Sequence, residues 1–312
     1  MKIFEVTPNE YDAIFTGATC FNKATFNLLN ASKCDEVCYL VFKDKKVRLG
    51  LVAGRQGTAL SSPFSAPFGG FTVLDSKLQI PYIEEAVDLL ETFSKDRQLT
   101  SINIMLPPLF YDVSFLTKVT HVLYQKNWRL DQVDLNYYYN LSAMDKEETK
   151  PQMAYNAKKN LHAALKHPFT FQVGHTAGQL ETAYEIIRQN RAIKGFPLRM
   201  TCRQMLDTSN VVPIDSFLVK LEDKPVGSAI VYQVTPQIPQ VVYWGDIPEY
   251  AAFRTMNYLT SKLFDYYYQN GFRLIDVGTA MHDNLPNYGL CEFKESLGCD
   301  ILPRNCFVKV IN

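Results

Sequence analysis

The chain has 312 residues, of which 47% are apolar and 21% are charged, and its 32 basic residues are balanced by 32 acidic ones. The length favours two domains, and the composition is that of a globular protein. The balanced charge excludes a global electrostatic preference for nucleic acid or anionic membrane, although it leaves room for a local basic patch.

The seven cysteines and five histidines show no spacing of a zinc ribbon, a disulfide framework or a metalloprotease. We therefore expect no metal. The N-terminal stretch has no long apolar segment, and no run of about 18 apolar residues occurs. We expect neither a secretory signal nor a membrane span, and hence a cytoplasmic protein.

The predicted elements begin with a helix at Thr7, where Thr7 is the N-cap, Pro8 the first helical residue and Glu10 the partner of a capping box. An alternating hairpin with a charged four-residue turn follows. The first half is predicted to contain strands Val37–Phe42, Val47–Gly54, Ile102–Leu106 and Val133–Asn140, and helices Pro81–Phe93 and Phe115–Lys126.

The segment Ser61–Phe71 contains two prolines and two glycines, so it is predicted to be a shaped loop rather than a strand or helix. Such a loop lines a substrate groove or makes a structural bend. Under the first interpretation Ser65 and Phe68 are candidate substrate-binding residues.

The polar segment Ser142–Lys150 is the predicted boundary between an N-terminal domain, 1–145, and a C-terminal domain, 150–312. The second half is predicted to contain helices Tyr155–His167, Leu180–Arg191 and Phe253–Asn270, strands Phe169–Val173, Gln240–Trp244 and Leu274–Val277, and the hairpin Ser216–Gln233.

The two halves repeat the same succession of elements. Asp44 and Asp223 lie in corresponding hairpin turns, and Ile102 and Leu274 begin corresponding strands. Three strands precede the central helix, which predicts an antiparallel meander followed by one parallel crossover. Each succession is followed by one more apolar helix candidate and a predicted last strand, ending near Asn140 and Ile311. Two such α/β halves side by side would form a cleft suited to a ligand.

This order of elements resembles the GCN5-related N-acetyltransferase (GNAT) fold, and its duplication resembles the Fem-type peptidyltransferases. The local resemblance is carried by the segments Asp276–Met281, Gly289–Gly298, Tyr155–Lys166 and Asn190–Pro197. It implies an α/β protein of two tandem GNAT-like domains that moves an acyl or aminoacyl group onto a small-molecule or peptide amine. The donor would be acyl-CoA or aminoacyl-tRNA, so tRNA is a candidate partner.

The resemblance also implies that Lys294 contacts the acyl ester, where its ammonium would stabilise negative charge. The competing interpretation is a surface lysine paired with Glu292 or Glu295. Further candidate substrate-binding residues lie in the resembling segments, namely Arg191, Gly278, Thr279 and Phe293.

Other candidates follow from residue chemistry at the end of the strand Gln240–Trp244. Asp246 is a candidate base for the incoming amine, or a strand-end turn residue. Tyr288 is a candidate proton donor, or a packed tyrosine. Tyr243 and Trp244 are candidate substrate-binding residues at the end of this strand.

The segment Gly245–Arg254 departs from a typical CoA-binding loop because it contains one glycine and two acidic residues. Ordinary CoA binding is therefore in doubt. Arg254 is a candidate phosphate ligand through its guanidinium, or a cap-region arginine paired with Glu249.

A basic helix near the start of the second half contains Lys158, Lys159, His162 and Lys166, which either contact a polyanion such as tRNA or form a solvated face. The function predicted first is acyl or aminoacyl transfer. A conventional acetyl-CoA-dependent N-acetyltransferase and a non-catalytic binding protein are the alternatives. The sequence leaves the donor, the acceptor and the oligomeric state open.

Overall fold

A computed structural model describes residues 1–145, 153–282 and 284–311. The chain forms two compact units, one of Met1–Leu135 and Leu302–Asn312 and the other of Asn136–Ile301. The predicted boundary Ser142–Lys150 lies mostly outside the described residues. The division into domains 1–145 and 150–312 stays a prediction.

We number the strands and helices in chain order. The strands are β1 (Lys2–Glu5), β2 (Glu36–Lys43), β3 (Val47–Gln56), β4 (Ala59–Ser62), β5 (Phe71–Val73), β6 (Ser101–Met105), β7 (Arg129–Asn140), β8 (Phe169–Gly174), β9 (Ile214–Leu221), β10 (Lys224–Thr235), β11 (Ile238–Asp246), β12 (Leu274–Thr279), β13 (Met281–His282), β14 (Leu285–Pro286) and β15 (Asp300–Val310). The helices are α1 (Pro8–Ile14), α2 (Ala24–Leu29), α3 (Ile80–Asp96), α4 (Val113–Gln125), α5 (Tyr155–Ala164), α6 (Ala177–Lys194), α7 (Cys202–Ser209), α8 (Thr255–Gln269) and α9 (Tyr288–Ser296).

The first unit contains the strand order β1–β2–β3–β4–β6–β15, with β5 beside β3. Its strands pair antiparallel except β4 and β6, which are parallel and lie on either side of helix α3 in the chain. Helix α3 buries Ile83, Val87 and Leu90, as the sequence period predicts. These side chains share one hydrophobic core with residues of α4 and of the strands.

The second unit repeats this plan with the order β8–β9–β10–β11–β12. Strands β11 and β12 are the parallel pair, and helix α8 connects them. Residues Asn136–Asn140 of β7 then pair antiparallel with β12. Helix α8 buries its apolar face, including Leu259, Leu263 and Tyr267.

The last strand predicted after each succession is present, as β7 and as β15. The chain's last strand, β15, pairs with β6 of the first unit, whereas the end of β7 pairs with β12 of the second. The sequence analysis did not predict these pairings. An apolar alternating pattern identifies a strand but does not specify its hydrogen-bonding partner.

Local signals placed most elements correctly. The capping box at Thr7 is present, since its hydroxyl accepts from the Glu10 N–H and the Glu10 carboxylate accepts from the Thr7 N–H. Helix α8 begins at Thr255 rather than Phe253, because Arg254 has a φ of +62° after the 3-10 helix Pro248–Phe253. Elements that the sequence analysis missed are mostly short, so their periodicity is weak. They are β1, β4, β5, β13, β14, α2 and α7.

Candidate active site

The candidate site lies in the second unit, where the parallel strands β11 and β12 diverge. They share one register pair, Gln240 with Asp276. Beyond it, no further pair joins them among the residues that the structure describes. We call the space between residues 241–246 of β11 and 277–279 of β12 the β11–β12 opening. Strands that separate in this way leave backbone groups available to a ligand.

Each of the two diverging strands carries a β-bulge. Val242 is the extra residue of β11 relative to β10, and Val277 is the extra residue of β12 relative to β7. A bulge bends its strand and increases the local twist, which accounts for the separation. The sequence contains one hint of this geometry, Gly278, whose φ of +75° favours glycine.

Lys294 of helix α9 lies at the β12 side of the opening and is 2% exposed. Its Nζ donates to the carbonyl oxygens of Val277 and Gly278 at 2.9 Å and of Thr279 at 3.0 Å. All three ammonium hydrogens therefore have acceptors. The alternative interpretation as a surface lysine is wrong, because the side chain is buried against the backbone of β12.

The charge of Lys294 lies close to two aromatic rings, at 5.2 Å from the centre of the Tyr137 ring and 6.0 Å from that of Trp244. Burial lowers the pKa of Lys294 to about 8, while the charge of Asp276 is among the groups that oppose this. The three carbonyl acceptors also favour the ammonium form. Lys294 is therefore predominantly charged at neutral pH.

Asp276 organises the base of the opening and is completely buried. Its carboxylate accepts from Asn136 Nδ2 at 2.9 Å, Gln240 Nε2 at 2.6 Å and the N–H of Gly278 at 2.8 Å. These bonds join three strands and hold the end of β12, whose carbonyls accept from Lys294. The sequence analysis did not select Asp276 as a site residue, although it begins the motif Asp276–Met281.

Tyr243 lies in β11, and the charge of Arg191 acts on both Tyr243 and Lys294. Arg191 is in the last turn of α6 and half-buried, and burial lowers its pKa. The charge of Arg191 in turn lowers the pKa of the Tyr243 phenol, which burial raises overall. The backbone of Met200 also acts to lower the pKa of this phenol.

Asp246 ends β11 and is 5% exposed. Its carbonyl oxygen accepts from Asn190 Nδ2 at 2.7 Å, and its carboxylate lies 3.9 Å from Lys194 Nζ. Burial raises the pKa of Asp246, and the charge of Lys194 opposes this rise. A carboxylate with a raised pKa is better suited to accept a proton than an ordinary surface aspartate.

The structure brings together most of the candidates near the β11–β12 opening. The ring of Trp244 meets that of Phe293 edge-on, with centroids 5.9 Å apart. The candidates lying on the two diverging strands are Tyr243, Trp244, Asp246, Gly278 and Thr279, and Phe293 of α9 joins them through its contact with Trp244. Tyr288 begins α9 and is 79% exposed, so the alternative interpretation as a packed tyrosine does not describe it.

The start of helix α8 differs from a glycine-rich phosphate loop. A Cβ on Gly245 would lie 2.9 Å from the Asn190 side chain, so this glycine is required by packing. Arg254 is exposed, and in the described part of the chain it forms no ion pair with Glu249. Its guanidinium is therefore accessible at the beginning of the helix.

Ser65 and Phe68 belong to the first unit. Ser65 bonds to Lys33 and Asn30, whereas Phe68 is fully buried with its ring 5.0 Å from that of Phe21. The buried ring belongs to the core of this unit, which agrees with the structural-bend interpretation of the loop. We do not include these two residues in the candidate site.

One group among the described residues has the spacing of metal ligands, namely Glu5, Glu36 and Cys38. Both carboxylates already pair with Arg97, and Glu36 also pairs with Arg55. Burial raises the pKa of Cys38 to about 12, which disfavours the thiolate that a metal requires. The group is therefore explained by its ion pairs.

No family model matches the sequence, and no curated protein matches it significantly. Solved structures do match the fold over nearly all of the chain. FemX has a TM-score of 0.72 at 14% identity and covers 100% of this chain and 98% of its own. The tandem GNAT protein from the clavulanic acid biosynthesis pathway has a TM-score of 0.56 at 8% identity, covering 100% and 98%.

The chain has a tandem GNAT fold. The L-PGS structure from Bacillus licheniformis is a further match, with a TM-score of 0.61 at 11% identity, covering 96% of this chain and 90% of its own. The resemblance stated from the sequence is confirmed at the level of fold. At these identities the likeness shows the fold alone.

Two surface features bear on partners. None of the described helices is long and apolar enough to cross a bilayer. Helix α5 and the turn after it expose Lys159, His162 and Lys166, while Leu161 and Ala164 are buried. The basic residues thus form an outward face, as both sequence-based interpretations require.

Proposed function

We propose that the chain transfers an acyl or aminoacyl group onto an amine in the β11–β12 opening of the second unit. The observation that carries this proposal is the buried ammonium of Lys294 beside two strands that share a single register pair. A fixed positive charge next to unpaired strand backbone suits a reaction in which a carbonyl oxygen becomes an anion.

In this reaction the amine nitrogen attacks the donor's carbonyl carbon and forms a tetrahedral oxyanion. The Lys294 charge and the N–H of Val242, the bulge residue, would stabilise the oxyanion. Asp246 would accept the proton of the amine. Collapse of the oxyanion expels the thiol or ribose hydroxyl of the donor, which takes up a proton.

Aminoacyl-tRNA is the donor we favour. The Asn190 side chain packs directly against Gly245, so this glycine is not free to approach a phosphate. Asp246 and Glu249 add negative charge at the place where CoA would bring its pyrophosphate. The exposed basic residues of α5 suit a nucleic-acid backbone. Acyl-CoA is the second candidate donor, since Arg254 is exposed at the beginning of helix α8.

The test is single-turnover transfer to a peptide amine, with aminoacyl-tRNA and acetyl-CoA compared as donors. Lys294→Met is expected to lower the transfer rate by about 10²- to 10³-fold, which is the typical effect of losing one oxyanion-stabilising group. Lys118→Met is the matched control. Lys118 of α4 also donates to backbone carbonyls, those of Ser76 and Leu78, but in the first unit.

Equal loss of transfer in both variants would show that the effect is structural. Wild-type protein that transfers from neither donor, yet binds one of them in a thermal-shift assay, would identify a non-catalytic binding protein. Transfer from acetyl-CoA alone would select the conventional N-acetyltransferase.

A further inference from the structure

Tyr137 of strand β7 lies beside the ammonium of Lys294. The tyrosine is completely buried, and Lys294 Nζ lies over its ring at 5.2 Å from the ring centre. The Cα of Tyr137 pairs with that of Gly278, whose carbonyl oxygen accepts from the same ammonium. A cation within about 6 Å of an aromatic ring centre is attracted to the ring, most strongly where water is excluded. The Tyr137 ring therefore stabilises the charged form of Lys294.

The far end of the Tyr137 ring is fixed by a hydrogen bond. The phenol oxygen donates to Glu295 Oε1 at 2.9 Å, and Glu295 follows Lys294 in helix α9. Burial raises the pKa of the Tyr137 phenol, so the group stays protonated and able to donate. The side chain thus connects strand β7 to helix α9 at the residue next to Lys294, and the ring cannot turn away from the ammonium without breaking this bond.

A second ring approaches Lys294 from the other neighbour of β12. The sheet order is β7–β12–β11, and the ring centre of Trp244 in β11 lies 6.0 Å from Nζ. The two rings differ in exposure, because Trp244 is half-buried and Tyr137 is completely buried. A half-buried ring can contact a ligand, whereas a completely buried ring acts on the protein's own groups. Tyr137 is therefore placed to support Lys294 rather than to contact a substrate.

The carbonyl partners of Lys294 leave one requirement of its proposed role unmet. All three N–H groups of the ammonium donate to backbone carbonyls, so a hydrogen bond to an oxyanion requires the release of one carbonyl. A lysine ammonium is carried on a flexible four-carbon chain, which a released carbonyl no longer restrains. The attraction between a cation and a ring acts on the charge as a whole. It therefore persists while the hydrogen bonds are exchanged.

We propose that Tyr137 is a positioning residue for Lys294. Its ring, held by the bond to Glu295, keeps the ammonium at the β11–β12 opening while one N–H moves from a backbone carbonyl to the oxyanion. This inference rests on the proposed function for the identity of the oxyanion. The placement of the ammonium by the ring, in contrast, is a property of the protein without substrate and can be measured there.

The direct test measures the pKa of Lys294 by NMR of protein with 15N-labelled lysine, and Lys294→Met assigns the signal. Tyr137→Leu removes the ring and is expected to lower this pKa by about 0.5–1 unit, the equivalent of one cation–ring contact shielded from water. Tyr137→Phe keeps the ring and should keep the wild-type pKa. Neither substitution alters the other groups whose charges act on this pKa, namely Asp276, Arg191, Cys291 and Cys299.

Tyr139→Leu is the matched control. Tyr139 lies two residues further along β7, is 7% exposed, and its ring stacks on that of Phe264 with centroids 4.1 Å apart. This substitution removes a buried ring of the same kind and should leave the Lys294 pKa unchanged. Tyr137→Met should lower the pKa as Tyr137→Leu does, because the flexible methionine fills more of the space and disturbs the packing less.

Two results of the NMR measurement would overturn the proposal. The first is a Lys294 pKa that is unchanged or raised in both Tyr137→Leu and Tyr137→Met. The second is an equal shift in Tyr139→Leu, which would show that a general loss of packing moves the pKa.

In the transfer assay at neutral pH, Tyr137→Leu should lower kcat by about tenfold, the rate equivalent of one pKa unit, with little change in KM. The alkaline fall in rate should begin at a lower pH in this variant. Tyr137→Phe should show the wild-type pH profile and most of the wild-type rate. An unchanged kcat in Tyr137→Leu, in a protein whose wild type transfers, would overturn the positioning role and retain the proposed function.

Failure of the proposed function gives a different pattern. The wild type would then transfer from neither donor, while the Lys294 pKa would still depend on the ring of Tyr137. That result would support the contact between ring and ammonium and would overturn the oxyanion step together with the proposed reaction.

Discussion

The corresponding parallel strand pairs of the two units differ in how far they are paired. In the first unit, β4 and β6 form four consecutive register pairs, from Ala59–Ser101 to Ser62–Ile104. In the second, β11 and β12 form one. The two units share a topology, but the second alone has strands that separate after a single pair.

The cause of the difference is local. The ladder between β3 and β4 and that between β6 and β15 contain no register shift, whereas both β11 and β12 carry a bulge. Two backbone N–H groups in the loop after β4 are also hydrogen-bonded within the first unit. The N–H of Gly69 donates to the carbonyl of Met105, and that of Gly70 donates to the Ser62 hydroxyl. Backbone N–H groups that are already hydrogen-bonded within the protein are not available to bind a ligand.

Two units that share one topology therefore differ in the chemical environment of corresponding residues. Each unit has a lysine on the corresponding helix that donates to backbone carbonyls, Lys118 and Lys294. Lys294 alone of the two is fully buried and lies beside diverging strands. Substitutions at matched positions in the two units can therefore distinguish stability from function.

The largest expected effect is the loss of a buried carboxylate in either unit. Asp276→Ala leaves Gln240 and Asn136 without their acceptor, and Asp134→Ala leaves Arg304 without its partner at 2.5 Å. Each should lower the free energy of unfolding by about 3–5 kcal/mol, measured by urea denaturation. Where the proteins remain folded, only Asp276→Ala should reduce transfer. Equal activity of the two variants would remove the functional distinction between the units.

The second prediction concerns pH and Lys294. Its folded pKa of about 8 is below its unfolded value of 10.5, so the unfolded chain binds more protons between these values. Stability should therefore rise with pH across this window relative to Lys294→Met, by at most about 3 kcal/mol. Below pH 8 both states are charged and the two proteins should show parallel pH dependence.

Transfer should follow the opposite trend, because the proposed role requires the ammonium. The rate is expected to fall as the pH rises through about 8, and this alkaline limb should be absent in Lys294→Arg, since arginine stays charged. A rate that instead increases through pH 8 would indicate that the neutral amine acts as a base.

The smallest effect is expected at the two left-handed glycines. Gly278→Ala and Gly70→Ala each place a side chain at positive φ, +75° and +87°, which costs about 1–2 kcal/mol. The added Cβ would make ordinary contact at Gly278, 3.5 Å from the Val241 carbonyl, and tighter contact at Gly70. Thermal unfolding should show both losses. Only Gly278→Ala should also slow transfer, because its backbone orients a carbonyl bonded to Lys294.

Much of the fold could be predicted because it depends on local patterns. The hairpin β2–β3, helix α3 and the Thr7 capping box each follow from residues close together in the chain. The resembling motif also pointed to Lys294. Its burial and its three carbonyl acceptors could not be predicted, because they depend on the path of β12.

The sequence by itself determined the order of most of the longer elements, since side-chain periodicity and turn chemistry act over a few residues, and the resemblance of its motifs implied the tandem GNAT fold. Only the tertiary structure decided which strand closes each unit, where β11 and β12 separate, and that Arg191 lacks a carboxylate partner among the residues that the structure describes. These features depend on hydrogen bonds and charges between distant residues, such as Asn136 with Asp276. A one-dimensional pattern does not encode such partners, because many pairings satisfy the same alternation of apolar and polar residues.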